Sequence, residues 1–256
     1  MKHPLRLQVS RAAVCLLAGV AALAFLVPSS VGAHAGGLPL AGKVVAIDPG
    51  HNPNNWKHLA EIGKPVPAGG FLKTCDTTGT ESANGYTEAA FNFDVATRLA
   101  RILKAAGATV VLTRTAHTPW GPCINRRAAI GNRAHADAAI SIHADGAPPD
   151  GRGFDVIYPP DTGITRRIAT ASKRLAVDVR NAYAADTAMP TATYVGRSGL
   201  DVRTDLGGLN LSTVPKVFIE SGNMHNPTDA ALLESPAFRQ RAANALAHGL
   251  EKFLLG

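Results

Sequence analysis

The chain has little that would suit a disordered or nucleic-acid-binding protein. Aromatic residues make up only 5% of its 256 residues, and charged residues make up 18%. The charge is too low, and the hydrophobic share of 46% too high, for a chain that stays unfolded. No run of Lys and Arg alternates with aromatic side chains, which disfavours nucleic acid as a partner. No internal repeat appears, and without the N-terminus the chain is about one domain long, so we expect a single domain.

A long hydrophobic run occurs only at the N-terminus, over residues 12–27. Three cations precede it: Lys2, Arg6 and Arg11. Small residues follow it, and they offer a cleavage site after Ala33 or after Ala35. A basic start, an apolar stretch and a small-residue site are typical of a secretory signal peptide. An uncleaved anchor is disfavoured because the run is shorter than the ~20 residues that a membrane-spanning helix needs.

This reading divides the chain into three parts. We expect residues 1–35 to be a signal peptide, residues 36–42 to be a linker, and residues 43–256 to form the folded, catalytic domain. Removal of the signal peptide would take three cations from the formal charge of +7. The mildly basic remainder suits an anionic surface such as a cell wall, although ordinary solubility explains it equally well.

Cysteine is scarce, with three residues in the whole chain. Cys15 lies in the hydrophobic run, so export would leave Cys75 and Cys123. An oxidising compartment favours a disulfide between them. The alternative is that both are metal ligands, but they lack the paired C-x-x-C spacing of such sites.

Short β-branched runs alternate with amphipathic segments in the rest of the chain. Predicted strands cover residues 43–48, 109–113, 138–142, 154–158 and 215–219. Predicted helices cover residues 86–106, 124–135 and 165–183, and a C-terminal helix opens at Ser235. The second helix is predicted to be basic on one face, through Arg126, Arg127 and Arg133. Strands alternating with helices predict an α/β fold with a mainly parallel central sheet and helices on both faces.

The polar stretches 52–84 and 186–213 are predicted to be irregular and to border a substrate groove.

Four residues with metal- or proton-binding side chains stand out. His51, His143 and Glu220 each follow directly on a predicted buried strand. In an open α/β sheet, ligands bind in the crevice outside the carboxyl ends of the strands. Before His51, a Pro-Gly pair is expected to make a sharp turn that aims the imidazole over the strand end. Glu88 opens a helix on the same stripe as its apolar side chains, where an unpaired charge is costly.

Two imidazoles and one carboxylate, with a fourth position open, are typical of a catalytic zinc site. We therefore expect His51, Glu88 and His143 to bind one zinc ion per chain. Glu220 is either a fourth ligand or the general base of metal-assisted hydrolysis, and we favour the base. Among the other histidines, His58 and His225 are expected at most to contact substrate. The sequence identifies no further substrate-binding residue.

Taken in order, these motifs resemble the zinc-dependent N-acetylmuramoyl-L-alanine amidases, a family of peptidoglycan hydrolases. The resemblance covers residues 43–254. It rests on the Asp-Pro-Gly-His sequence at 48–51, the helix start at 85–88, the segments 127–132 and 141–145, and Glu-Ser-Gly-Asn at 220–223 with Asn226. It implies that zinc is held by His51, Glu88 and His143 and that Glu220 is the catalytic glutamate. The single-domain actinobacterial members with a disulfide are the most similar.

The resemblance also implies a substrate and a reaction. Zinc-activated water would cut the amide bond between N-acetylmuramic acid and L-alanine of the stem peptide, with Glu220 as general base. The alternatives are another zinc-dependent cell-wall peptidase or deacetylase and a non-catalytic wall-binding protein, which the presence of Glu220 disfavours. The expected partners are peptidoglycan and muropeptides, with no nucleic acid and no stable membrane insertion after signal cleavage. We expect a monomer, secreted to the periplasm or cell wall.

Overall fold

The computed structural model describes residues 37–256, so the expected signal peptide at 1–35 lies outside the described residues. Within that range, no helix is both long enough and apolar enough to cross a membrane. Part of the expected linker is described. Its Leu40 is fully buried in the core, and the Leu40 N–H donates a hydrogen bond to the carbonyl of Ala106. The beginning of the described chain is therefore fixed to the end of a long helix.

A six-stranded sheet forms the centre of the fold. Its strands are β1 (Val44–Pro49), β4 (Thr109–Leu112), β5 (Ala138–Asp145), β6 (Asp155–Tyr158), β7 (Leu200–Val202) and β8 (Lys216–Asn223), in the order β4-β1-β5-β8-β6-β7. Strand β6 pairs antiparallel with β8, and the other neighbours are parallel. The predicted α/β fold with a mainly parallel sheet is confirmed.

Helices cover both faces of this sheet, as predicted. The long helices α2 (Glu88–Ala105), α4 (Arg166–Thr187) and α7 (Pro236–Leu255) share one apolar core with the sheet, and the shorter α6 (Pro227–Leu233) joins them. On the other face lie α3 (Ile124–Arg133) and the short α5 (Gly207–Asn210). There Gly131 of α3 comes so close to Ala46 that an added Cβ would lie 3.3 Å from the Ala46 Cβ.

Side chains alternate between the two faces along each strand, as the two-residue repeat of a β-strand requires. Every second residue enters the apolar core: Val45, Ile47, Ile140, Ile142, Val217 and Ile219, all fully buried. The residues between them face α3 and α5: Asp48, Ser141, His143, Lys216, Phe218 and Glu220. One face of the sheet is therefore apolar and the other carries most of the chemistry.

The predicted irregular stretches contain short regular elements. Residues 52–84 include a 3-10 helix (Asn55–Lys57), helix α1 (Leu59–Ile62) and the antiparallel pair β2 (Pro65–Pro67) and β3 (Leu72–Thr74). The second stretch, 186–213, holds β7 and α5. Elements of three or four residues are too short to show a hydrophobic period, which is why the sequence did not reveal them. Cys75 and Cys123 form the expected disulfide, which joins the residue after β3 to the residue before α3.

Two strands run further than predicted. Strand β5 continues through His143 to Asp145, and β8 continues through Glu220 to Asn223. Parallel pairing sets His143 directly beside Glu220. Both functional candidates therefore lie inside strands and share one face of the sheet, rather than following the strands as the sequence suggested.

Candidate metal centre and active site

His51, Glu88 and His143 converge at one end of the sheet. One potential ligand atom from each residue lies within 4.8 Å of the others. The Nδ1 atom of His143 is 2.8 Å from Oε1 of Glu88, and Nε2 of His51 is 3.2 Å from Oε2 of Glu88. The two imidazole rings meet edge to face, with centroids 5.0 Å apart. The structure thus brings together the two imidazoles and the carboxylate that the sequence singled out. His51, Glu88 and His143 are the candidate metal-binding group.

The turn after β1 explains how two histidines can come so close. A Cβ at Gly50 would lie 2.2 Å from Cε1 of His143, so a side chain there would collide with the imidazole. His51 itself has a φ of 54°, a left-handed conformation that is uncommon for a residue with a side chain. The expected sharp turn is present, but the residue with the left-handed backbone conformation is His51. Gly50 is needed chiefly for the space it leaves.

Asp76 and Thr77 contact the rear of the His51 imidazole. The His51 Nδ1 atom lies 3.1 Å from the carbonyl oxygen of Thr77 and 3.4 Å from Oδ1 of Asp76. An Nδ1–H that donates to these acceptors leaves Nε2 free as a potential metal ligand. Sequence analysis missed Asp76. The available signal was its position next to Cys75, whose disulfide fixes this part of the loop.

A buried ion network lies beneath the metal-binding group. Arg127 donates hydrogen bonds to Oδ1 of Asp48 at 3.0 Å and to Oδ2 of Asp76 at 2.9 Å. It also donates to the carbonyl of His51 at 3.0 Å. Lys216 contacts the other oxygen of Asp48 at 3.3 Å. Burial alone would raise the pKa of Asp48, but Lys216 and Arg127 hold that pKa well below its usual range.

This network removes Arg127 from the predicted basic face of α3, which keeps the exposed Arg126 and Arg133. Arg126 is exposed, but Arg127 is only 4% exposed and points into the protein. Because its guanidinium holds the turn that carries His51 and also holds Asp76, Arg127 supports the metal-binding group from below. Its position next to a solvent-facing Arg126 hid this role in the sequence.

The negative charges of Glu88 and Asp76 favour a cation at the metal-binding group. Burial alone would lower the pKa of His51, but Glu88 and Asp76 raise that pKa to about 10. Burial alone would raise the pKa of Glu88, but His51 and His143 hold it well below its usual range. The carboxylates thus attract positive charge to this point, whether as protons on the imidazoles or as a metal ion.

Glu220 stands beside the metal-binding group. It lines a cleft of about 260 Å³ together with His51, Glu88 and His143. The metal-binding group that the described residues form does not include Glu220. Burial raises the pKa of Glu220 well above its usual range, and the negative charges of Glu88 and Asp145 add to the rise. Such a carboxyl group can exchange a proton with a molecule held in the cleft.

Asp155 is a second residue that the sequence did not reveal. It lies opposite Glu220 in the antiparallel pair of β6 and β8, and it is fully buried. Neither carboxylate oxygen has a hydrogen-bond partner among the described residues. Burial raises the pKa of Asp155 to about 7, and the charges of Asp201 and Asp145 add to the rise. A single Asp at the start of an apolar strand gave no sign of this environment.

The two remaining histidine candidates lie in different places. His58 contacts Glu61 at 3.5 Å and stacks on Trp120 with ring centroids 5.8 Å apart. The Nε2 atom of His225 is 2.9 Å from Oγ1 of Thr80. The N–H of Thr80 donates in turn to Oε2 of Glu88 at 3.1 Å. His225 therefore borders the metal-binding group, and its contact with substrate stays a prediction.

Comparisons with known proteins agree with this geometry. A family profile described as N-acetylmuramoyl-L-alanine amidase matches residues 45–252. N-acetylmuramoyl-L-alanine amidase Rv3717 of Mycobacterium tuberculosis is 42% identical over 218 residues, which cover 84% of this chain and 88% of that protein.

Two solved structures show the same fold. The amidase Ami1 from Mycobacterium smegmatis has a TM-score of 0.79 at 41% identity, covering 84% of this chain and 98% of its own. Ami1 from Mycobacterium abscessus, solved in its apo form, has a TM-score of 0.78 at 38% identity, covering 84% and 100%. Since the family profile spans most of the chain and the sequence identity extends over the same length, this chain belongs to the N-acetylmuramoyl-L-alanine amidase family.

Proposed function

We propose that the protein is a zinc-dependent peptidoglycan hydrolase. It cuts the amide bond between the lactyl group of N-acetylmuramic acid and L-alanine of the stem peptide. The observation that carries this proposal is one cleft in which Glu220 borders His51, Glu88 and His143, in a chain that belongs to an amidase family. The relatives Rv3717 and Ami1 are named as amidases of this bond, which supports the same substrate here.

Zinc fits the donor set. Imidazole nitrogen and carboxylate oxygen are ordinary zinc ligands, and three protein ligands leave one position for water or substrate. His51, Glu88 and His143 would hold the ion, and Asp76 would fix the orientation of His51. When bound, zinc would polarise the scissile carbonyl and lower the pKa of a water molecule toward about 7.

Glu220 is proposed as the general base. Its carboxylate accepts a proton from the attacking water while the new C–O bond forms at the scissile carbonyl carbon. The same carboxyl group then donates that proton to the L-alanine nitrogen as the C–N bond breaks. A raised pKa lets Glu220 hold the proton between the two steps. The products are a glycan with a free lactyl carboxylate and a stem peptide with a free α-amine.

A cell-wall peptidase or deacetylase could use the same residues, and product analysis separates the three reactions. Purified peptidoglycan is digested with the mature chain, and the fragments are read by mass spectrometry. We expect stem peptides that begin with a free L-alanine amine, and we expect chelator to stop their release until zinc is returned. Peptides cut internally, or glycan that has lost acetyl groups while keeping its peptides, would contradict the amidase proposal.

The ligand assignment is tested by metal analysis. Wild-type protein is expected to hold one zinc ion per chain, and His143→Ala is expected to lose most of it. His117→Ala is the matched control because His117 is exposed and lies outside the metal-binding group. Near-full zinc occupancy in His143→Ala would remove His143 from the site.

We also propose that residues 1–35 direct export and are removed after Ala33 or Ala35. The mature protein would then act as a monomer in the periplasm or cell wall, where its substrate lies. The Cys75–Cys123 disulfide supports this location because disulfides persist in oxidising compartments. N-terminal sequencing of the exported protein should begin at residue 34 or 36, and an intact Met1 would contradict the proposal.

A further inference from the structure

Trp56 is one of two tryptophans in the chain, and it is unusually open to solvent. It lies in the 3-10 helix Asn55–Lys57 and is 63% exposed. Its neighbour Asn55 is fully buried. The Asn55 side chain donates to the carbonyl of Thr77 at 2.7 Å and accepts from the N–H of Gly121 at 2.9 Å. The turn that presents Trp56 is therefore fixed, while the indole ring is open to solvent and has Lys57 Nζ over one face, 5.0 Å from the ring centroid.

Trp56 lines a cleft that adjoins the metal-binding group. This cleft has a volume of about 570 Å³, and its walls include Thr78, Gly79, Thr80 and Glu81. Gly79 and Thr80 also line the cleft that holds Glu88 and Glu220. Because Gly79 and Thr80 form a wall common to both clefts, the Trp56 cleft is a neighbour of the one that holds Glu88 and Glu220.

The chemistry of this cleft suits a sugar ring. A pyranose presents an apolar C–H face surrounded by hydroxyl and acetamido groups. The indole offers a rigid apolar face, and the exposed Thr78 and Glu81 offer oxygen atoms for hydroxyl groups around it. A volume of 570 Å³ also lies within the range of about 300–1,000 Å³ that is usual for ligand pockets.

The cleft on the other side of the metal-binding group differs. It shares His51 and His143 with that group, and its walls are largely apolar, with Ile124, Leu206 and Phe218. Lys73 adds a cation there. Apolar walls with the cations of Lys73 and Arg127 suit the side chains and carboxylates of a stem peptide better than they suit a neutral sugar. The two clefts therefore offer separate places for the two halves of the substrate.

We infer that Trp56 and the adjoining wall at Thr78 and Glu81 form a glycan subsite, which stacks a saccharide ring next to the N-acetylmuramic acid whose amide is cut. This inference rests on the proposed function, because it concerns the same substrate. It assigns the glycan to the Trp56 side and the stem peptide to the side of Phe218.

Binding is tested first, with a glycan that carries no peptide. Alternating N-acetylglucosamine and N-acetylmuramic acid oligosaccharides are titrated into ¹⁵N-labelled wild-type protein. We expect the indole N–H signal of Trp56 to shift and that of Trp120, which stacks on His58, to stay in place. A shift at Trp120 alone, no shift at all, or a shift of Trp56 caused only by free stem peptide would overturn the inference. This measurement does not depend on hydrolysis.

Turnover is tested second, with two substrates that carry the same peptide. One has a single N-acetylmuramic acid, and the other has a tetrasaccharide. Trp56→Ala should raise KM for the tetrasaccharide about tenfold, as expected for the loss of a central aromatic contact. The single-sugar substrate should be cleaved at the wild-type rate. Leu59→Ala is the matched control, because Leu59 is equally exposed at 63% and does not line the cleft.

The outcomes separate the two proposals. Equal tetrasaccharide KM values for Trp56→Ala and wild type would overturn the glycan subsite while leaving the amidase proposal intact. Failure of the wild type to cleave either substrate would contradict the proposed function, and the glycan titration would still decide whether Trp56 binds sugar. Unchanged zinc content and melting temperature in Trp56→Ala would show that its fold is intact.

Discussion

The two faces of the central sheet are made from alternate residues of the same strands, yet they differ in almost every respect. One face is aliphatic and packs against α2, α4 and α7. The other carries Asp48, His143, Lys216 and Glu220 toward α3, α5 and the clefts. On the first face, burial removes apolar surface from water, which is favourable. On the second, each buried polar group needs a partner to offset its desolvation.

This difference shows how stability and chemistry can be combined in one small domain. The apolar face supplies free energy of folding, and the polar face uses part of it to hold charges that would otherwise prefer water. Arg127 and Lys216 meet that requirement by each pairing with Asp48. Asp155 does not, since its carboxylate has no partner among the described residues. Substitutions on one face should therefore change stability or metal binding without changing the other face.

The largest loss of stability is expected on the polar face, from Arg127→Met. The substitution keeps a long side chain but removes a cation that neutralises Asp48 and Asp76. Breaking a buried ion pair from one side costs about 3–5 kcal/mol. Denaturant unfolding should show this loss, while Arg126→Met, an exposed neighbour on the same helix, should stay within about 0.5 kcal/mol of wild type. An Arg127→Met protein as stable as the control would mean that the network is dispensable.

A loss of about 2–5 kcal/mol is expected on the apolar face, from Ile142→Ala. Ile142 is fully buried and precedes His143, whose side chain points to the other face. The substitution should therefore lower the melting temperature and leave zinc affinity at its wild-type value. Calorimetry and zinc competition titrations measure the two effects. A large fall in zinc affinity would show that the two faces are coupled.

Asp155→Asn should change how stability depends on pH. Burial raises the pKa of Asp155 from its ordinary value of 3.8 to about 7 in the folded protein. The folded state therefore binds the extra proton between these values, and its stability falls as pH rises through that window. The slope is at most about 1.4 kcal/mol per pH unit, and Asp155→Asn should remove it. Unfolding of chelator-treated protein from pH 4 to pH 8 tests this. Parallel wild-type and variant curves would reject the shift.

Asp76→Asn is expected to weaken metal binding, and it also lowers stability because it removes the charge that pairs with the buried Arg127. The amide keeps the size of the side chain but removes the negative charge that interacts with Nδ1 of His51. Loss of such an orienting carboxylate typically lowers metal affinity by about 10–100-fold. Asp186→Asn is a matched control, because Asp186 also pairs with a histidine, His248, but on the exposed surface. Equal zinc affinities in the two variants would leave Asp76 without a role at the metal.

The sequence allowed some of this arrangement to be predicted, and the reasons are physical. The apolar runs and their alternation with amphipathic segments revealed the parallel α/β sheet. The sequence singled out His51, Glu88, His143 and Glu220, which the fold brings to one cleft, because each is a reactive side chain next to an apolar run. Asp76 and Arg127 could not, because their roles depend on the disulfide and on contacts between distant segments. The short β2–β3 pair was missed because three residues show no period.

In the proposed reaction, Glu220 performs proton transfer beside a metal held by three other residues. Glu220→Gln keeps the size and polarity of the side chain but removes its ability to accept a proton. The account predicts that hydrolysis of muropeptides falls by about 10²–10⁴-fold, the usual contribution of a general base. Zinc content and melting temperature should match those of the wild type. A near-normal rate would contradict the role as a base, and loss of zinc would make Glu220 a ligand instead.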